Sequence, residues 1–386
     1  MNPRDAVTNT LARLKLRRLG TNRHDLTTNV AATLGIRRDD LVRIVRVMIA
    51  TVVTVVGVVM ISSVPGWGAT HALLGIHEAP STKANSAPLT VEAARKILTR
   101  TFTAAYLGET NSGAAGKADL RTAYARDGLR AVSGRVRLAS VQPSAAASPL
   151  LAPHPTLLAV SRGFGFPRFI VAQTLASEGG LPILHLLVSP DAATPYRIFM
   201  SAEMVPPATV SPFDRLSSGS PLVSNTTGPL VANGPGLAVA PAALMKLYAA
   251  QMAFPAKSVD KLPFAADPFA SQVRAGAAGV ANAVASQADF NQEHRVLPSS
   301  VYAVRQASGD ALVFGVIERK DNFTVKAGQN VDTAANKAFV LLTGNKVISK
   351  AASITTLEFV VFAVPRSTGK ATLVGAREQI VAGSGS

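Results

Sequence analysis

Apolar positions divide the chain into two regimes. Val47–Val64 reads VMIATVVTVVGVVMISSV, eighteen residues without a charge. At 1.5 Å per residue this stretch spans about 27 Å, close to the hydrocarbon thickness of a bilayer. It predicts a membrane helix. Asp39 and Asp40 favour its start, Pro65-Gly66 ends it, and Trp67 suits the membrane interface. Beyond it the periods are those of a folded α+β region. Thr90 reads as an N-cap with Glu92 in the first turn, and Val91, Ala94, Ile97, Leu98, Phe102 and Ala105 share one helix face. A second helical stretch is predicted within Leu120–Leu138. Strand patterns follow at Leu157–Ser161, Arg168–Leu175, Leu181–Val188 and Tyr196–Met204.

The same order then recurs. Pro206–Gly236 is rich in Pro, Ser, Gly and Asn and reads as a linker. Pro241 opens a helix over Ala242–Phe254. Asp267-Pro268 starts another, with Phe269, Val273, Ala277, Val280 and Val284 as its apolar stripe. Strands are predicted at Val301–Gln306, Ala311–Ile317, Lys337–Leu342, Thr356–Val364 and Ala371–Val381. Without gaps, Leu157–Leu175 lies over Val301–Arg319, and Leu181–Val205 over Leu357–Val381. The match is in pattern more than in letters. The second copy carries an insertion around Lys320–Ser349.

The fold class predicted is α+β: a single N-terminal transmembrane helix, then two tandem helix-plus-antiparallel-sheet units. Each unit would bury its own concave face, and the two would sit side by side on a stalk without merging into one large sandwich. The boundaries are 1–46 for a basic cytoplasmic tail, 47–64 for the span, 65–87 for the stalk, 88–205 for the first unit, 206–236 for the linker, 237–382 for the second unit and 383–386 for a short tail.

Charge orients this layout. The net charge is +16, and residues 1–46 hold ten Lys/Arg against four acids. Only Lys83 follows the span within about twenty residues, so the positive-inside bias puts the N-terminus in the cytoplasm and the rest outside the cell membrane. A cleaved signal peptide is the competing reading. Against it stand the long tail, a stretch longer than the usual h-region of about 7–15 residues, and a bulky Trp67 in Trp67-Gly68-Ala69 where a small residue belongs. In the tail, Leu11, Leu14 and Leu19 lie among Arg13, Lys15, Arg17 and Arg18. That suits a helix on anionic lipid headgroups and equally a disordered basic tail. Expected partners are the lipid bilayer, anionic headgroups and other envelope proteins. A helix-turn-helix across Asn29–Arg46 would run straight into the bilayer, and the outer part lacks basic patches interleaved with aromatics, so no nucleic acid is expected. With no cysteine, disulfides, thiolate metal sites and a lipidated N-terminal cysteine are all excluded.

Candidate chemistry is sparse. Gly163-Phe164-Gly165 lacks the rest of a dinucleotide fingerprint, and no P-loop, H-E-x-x-H or G-x-S-x-G occurs. His71 and His77 have only Glu78 nearby, too few ligands for a metal. Arg121, Arg126, Arg130, Arg135 and Arg137 read as a solvated helix face in preference to an anion-binding stripe. His185, inside LPILHLLV, alternates with Leu181, Ile183 and Leu187. An inward histidine has the pKa for acid–base work, and its plainer reading is a buried ring with one hydrogen-bond partner. Glu358 in TTLEFVVF has a similar setting. His185 and Glu358 are thus the candidate pocket residues, although they fall in different repeats. No catalytic, cofactor-binding or metal residue is predicted, and no cofactor. Two functions remain. A non-catalytic interaction or scaffold module predicts filled units, and a ligand-binding or weakly catalytic unit predicts an open cavity with convergent polar groups. The scarcity of inward polar residues on the predicted strands favours the first.

The second repeat also carries a resemblance. LAVAP at Leu237–Pro241, ADPF at Ala266–Phe269, SGDALVFG at Ser308–Gly315 and FAVPRSTGKATLVGAREQIV at Phe362–Val381 resemble a family of actinobacterial membrane-anchored proteins and lipoproteins of unknown function. Many members of that family are anchored through a lipidated cysteine, which a helix and basic tail replace here. The helices-then-meander unit resembles the NTF2-like or cystatin-like cone. A tail, one span and two such cones resembles the layout of bitopic conjugation and secretion scaffolds, a likeness of architecture that does not by itself imply function.

Overall fold

The computed structural model describes residues 86–111, 113–142, 155–175, 181–226, 236–256 and 261–386. The expected tail, the span at 47–64 and all but the last two stalk residues lie outside that set. Among the described residues, no helix is long and apolar enough to cross a membrane. They form an α+β fold with six helices and a large antiparallel sheet.

Three helices come first: α1 (Val91–Thr110), α2 (Gly113–Ala123) and α3 (Arg126–Leu138). Thr90 caps α1 by accepting from the Ala93 N–H at 3.1 Å, as its position before an apolar stripe requires. The stretch expected within Leu120–Leu138 breaks at Tyr124-Ala125. There the backbone leaves the helix to bridge Ile198, and the Ala125 N–H donates to the Ile198 carbonyl at 3.0 Å. A meander follows: β1 (Thr156–Val160), β2 (Arg168–Leu175), β3 (Pro182–Ser189) and β4 (Arg197–Met204).

The second unit repeats this order with additions. A short β5 (Leu222–Val223) lies inside the expected linker and pairs with a later strand. Next come α4 (Pro241–Met252), α5 (Pro268–Val284), β6 (Ala288–Arg305) and β7 (Ala311–Val325). An insertion of β8 (Val331–Asp332), α6 (Lys337–Thr343) and β9 (Val347–Ile348) precedes β10 (Ala351–Val364) and β11 (Thr372–Gly385). Lys337–Leu342, expected as a strand, is therefore helix. A short apolar run does not discriminate the two, and the caps decide. Asn336 accepts from the Phe339 N–H at 3.0 Å, and Gly344 closes the helix at φ 77°. The expected tail at 383–386 is largely strand, because β11 continues to Gly385 along β10.

The main sheet runs β1-β2-β3-β4-β11-β10-β7-β6-β5. Each unit thus supplies a four-stranded meander, and the last strands of the two meanders pair antiparallel through Glu203–Ala376 and Met204–Gly375. The repeat extends to register. In β3–β4, Leu186 faces Met200 and Leu187 faces Ile198 across a bulge. In β10–β11, Val361 faces Gly375 and Phe362 faces Leu373 across a bulge at the corresponding place. One constant shift maps the first set onto the second, and it differs by one residue from the ungapped sequence match. It places His185 on Val360 and Ile183 on Glu358.

The units do not stand apart. One buried cluster takes ten residues from β1–β4, including Phe169, Leu184 and Met200, and eight from β6, β7, β10 and β11, including Phe314, Val316 and Phe359. Phe199 of β4 meets Tyr302 of β6 edge to face at 5.1 Å. Four strand spacings of about 4.8 Å separate these strands along the sheet, so this contact requires the sheet to fold over at its β4–β11 seam. A bridge between Ser161 and Ser220 ties the two ends of the sheet together. The backs of the two meanders form a common sandwich core, and the helices cover the outer faces. Strands buried on both faces read as near-continuous apolar runs, as in Phe169–Ala172 and, interrupted by His185, Ile183–Val188.

Helix α3 crosses the seam. A Cβ on Gly128 would lie 2.7 Å from the carbonyl oxygens of Ile198 and Phe199 on β4, and one on Gly134 would overlap the Ile380 carbonyl on β11. The helix backbone therefore rests directly on both units. Of its arginines, Arg126, Arg130 and Arg137 lie on the exposed face expected from spacing, while Arg135 is buried. Arg135 is buried against Glu109, Arg130 pairs with Asp127 and with Glu318 of β7, and Arg137 donates to the carbonyls of Leu341 and Leu342.

Candidate functional site

Strands β6, β7 and β10 run well past their expected ends, and this extension builds the site. Along β6, Gln292 is buried and the His294 side chain is fully enclosed, while Asp289, Asn291, Glu293 and Arg295 are exposed. That is strand alternation with polar residues on the inward face. Their partners come from the neighbouring strands. Gln292 Nε2 donates to Asp321 Oδ1 at 2.8 Å. His294 Nε2 lies 3.3 Å from Glu358 Oε1, and Arg319 Nη1 donates to the same oxygen at 3.1 Å and to Glu378 Oε2 at 2.7 Å. Arg319 Nε stands 3.4 Å from Asp321 Oδ2. Burial alone would lower the Arg319 pKa, but Glu358, Asp321 and Glu378 together outweigh it and raise it. Four buried atoms of the cluster, Gln292 Oε1, Glu358 Oε2, His294 Nδ1 and Arg319 Nε, have no hydrogen-bond partner among the described residues.

This cluster borders a cavity of about 710 Å³. Arg319, Asp321, Gln292 and Glu378 line it on the sheet side. The apolar stripe of α5 forms the facing wall, and the β8–α6–β9 insertion closes an end with Phe339 and Ile348. The stripe explains the opening. Ala270, Val273 and Ala277 pack into the core, but Val280, one turn further, is 38% exposed. A Cβ added at Gly276, which also lines the cavity, would meet nothing within 4 Å. The size and the mixture of apolar walls with a few convergent polar groups fit a small-molecule site.

The sequence candidates fall on both sides of this picture. Glu358 belongs to the cluster, fully buried behind Arg319. His185 lies in the first unit, on β3. Its ring is 1% exposed, with Phe102 edge-on at 4.8 Å, Thr174 Oγ1 at 2.9 Å from Nε2 and Ser201 Oγ at 2.8 Å from Nδ1. It thus has two partners where the plainer reading expected one. Strands β4 and β11 separate it from β10, so His185 and Glu358 are not brought together. Burial, with the Arg377 charge second, lowers the His185 pKa from 6.5 to about 3. The folded state keeps the ring neutral, while the unfolded chain protonates it below about pH 6.5. Stability is therefore expected to be intact above that pH and to fall toward pH 3, by up to about 1.4 kcal/mol per unit from this group. His185→Gln should cost about 1–3 kcal/mol at neutral pH and flatten that decline. Urea denaturation of both proteins at pH 7, 5 and 4 checks this, and parallel slopes would remove His185 as the source.

Sequence reasoning missed Gln292, His294, Arg319, Asp321 and Glu378 as site residues. The available signal was the period-two pattern of Phe290, Gln292, His294 and Val296, which counts as a strand only if polar residues are allowed inward. No family model, curated protein or solved structure matches the chain.

Proposed function

We propose that the chain is a membrane-anchored, non-catalytic binding protein of the cell envelope. In this reading the first unit is structural and the second holds a small, largely apolar ligand. Both units are read as NTF2-like cones, the first filled and the second hollow. The observation that carries the proposal is the cavity of about 710 Å³ between α5 and the extended sheet. It distinguishes the two functions weighed from sequence, since a pure scaffold needs no cavity with polar groups converging on it. The scaffold reading keeps support from the shared core, which makes the two units one rigid platform for other envelope proteins.

Gly276→Leu tests the cavity without harming the fold. The new side chain has open space, and replacing a mid-helix glycine favours the helix by about 1 kcal/mol. The full chain in lipid nanodiscs should bind neutral dansyl butylamide above the level of empty nanodiscs, and the variant should lose that binding while melting no lower. Equal binding by both proteins would sink the proposal. The membrane anchoring rests on Val47–Val64 and the basic tail before it. Reporter fusions at residues 20 and 386 should place the first in the cytoplasm and the second outside. A cytoplasmic C-terminus, or a mature N-terminus beyond Trp67, would contradict it.

A further inference from the structure

The polar floor of the cavity has an excess of one sign. Three carboxylates, Asp321, Glu358 and Glu378, converge on one guanidinium, Arg319. With His294 neutral the cluster is −2, and with His294 protonated it remains −1. Arg319 already faces all three acids, and its Nη2 donates to Thr356 Oγ1 at 3.5 Å, while its Nε has no hydrogen-bond partner among the described residues. A ligand carboxylate would find one cation already set against three acids and would add like charge to the excess. Because Gln292 presents its Nε2 to Asp321, its Oε1 is left buried without a hydrogen-bond partner among the described residues. Turning the amide over would set two oxygens against each other, so the carboxylate settles this orientation. The apolar wall of α5 opposite offers no further charge.

We propose that the ligand of this cavity is a cationic amphiphile, an apolar body carrying a primary amine, whose ammonium sits between Glu378 and Asp321. This rests on the cavity being a ligand site, and it adds the ligand's charge. An ammonium offsets the excess charge of the floor and forms charge-assisted hydrogen bonds to its carboxylates.

Dansylcadaverine, an arylsulfonamide ending in a primary amine, is a suitable probe. Its carboxylate counterpart, dansyl-aminocaproate, and neutral dansyl butylamide complete the set. Titrated by fluorescence into the full chain in nanodiscs, with empty nanodiscs as the blank, the amine should bind at least tenfold more tightly than the carboxylate. Glu378→Gln, at a half-exposed side chain, should keep the melting temperature and weaken the amine about three- to tenfold without weakening the neutral probe. Carboxylate binding as tight as that of the amine would overturn the charge inference and leave the cavity reading standing, as would an amine affinity indifferent to Glu378→Gln. Failure of all three probes would overturn both.

Discussion

Arg319→Met is expected to cost about 3–5 kcal/mol of folding stability, the largest effect among the substitutions considered. The native gap of a domain is only about 5–15 kcal/mol, so such a variant would sit close to unfolding at 37 °C. The reason is asymmetry. Arg319 is 13% exposed and Glu358 not at all, and Arg319 Nη1 is the guanidinium contact that Glu358 has. Removing the cation leaves a buried carboxylate facing His294 at 3.3 Å. The methionine fills comparable volume, which separates the charge effect from a cavity effect. Removing both charges should restore most of the loss, because an apolar pair of similar volume replaces a buried ion pair at little net cost. Urea denaturation of Arg319→Met, Glu358→Leu and the double variant checks this. A loss under about 1 kcal/mol, or a double variant as unstable as the singles combined, would mean that the cluster is not coupled as the geometry implies.

Gly134→Val should separate what the seam holds together. Among the described residues, β4 and β11 join the two meanders through two cross-strand pairs, and α3 lies over them with glycines against each unit. A side chain at Gly134 must displace the Ile380 carbonyl, which is backbone and cannot rotate aside. Overpacking of this kind costs about 1–3 kcal/mol and more where backbone must move. Both faces of the seam are then loosened, so the variant should melt lower and over a broader range, with two transitions by calorimetry where the parent has one. Gly279→Ala is the control. A Cβ there meets nothing within 4 Å, and helix propensity predicts a small gain of about 1 kcal/mol. Indistinguishable melting of the Gly134→Val variant and the parent would show that α3 does not clamp the units.

The first unit shows how burial can retire a functional candidate. His185 stands out in LPILHLLV because a polar residue interrupts an apolar strand. The same strand, buried on both faces, places it between Phe102 and two hydroxyls that satisfy both ring nitrogens. Nothing in its spacing distinguishes that setting from a catalytic one, since both require an inward histidine. Glu358 looks alike in sequence and differs in its neighbours: it stands where the first unit has Ile183, beside an arginine, a histidine and a cavity.

Local chemistry was sufficient for much of the fold. Thr90 and Asp267 as caps, Pro268 at a helix start, and the apolar runs of β2, β3 and β10 depend on residues within a few positions of each other. The recurrence of helices then strands was legible for the same reason, down to strand pairs whose register the structure shifts by one residue. The tertiary structure decided the rest. That the meanders share one core depends on which faces of β4 and β6 meet, and Phe199 and Tyr302 are about a hundred residues apart. Arg135 of α3 is buried against Glu109 of α1, and the exposed Arg130 and Arg137 reach β7 and α6, because the helix crosses the seam. The site was hidden most completely. Gln292, His294, Arg319 and Asp321 lie on strand extensions where a polar inward face mimics a loop, and with Glu358 and Glu378 they make sense only as a set drawn from β6, β7, β10 and β11.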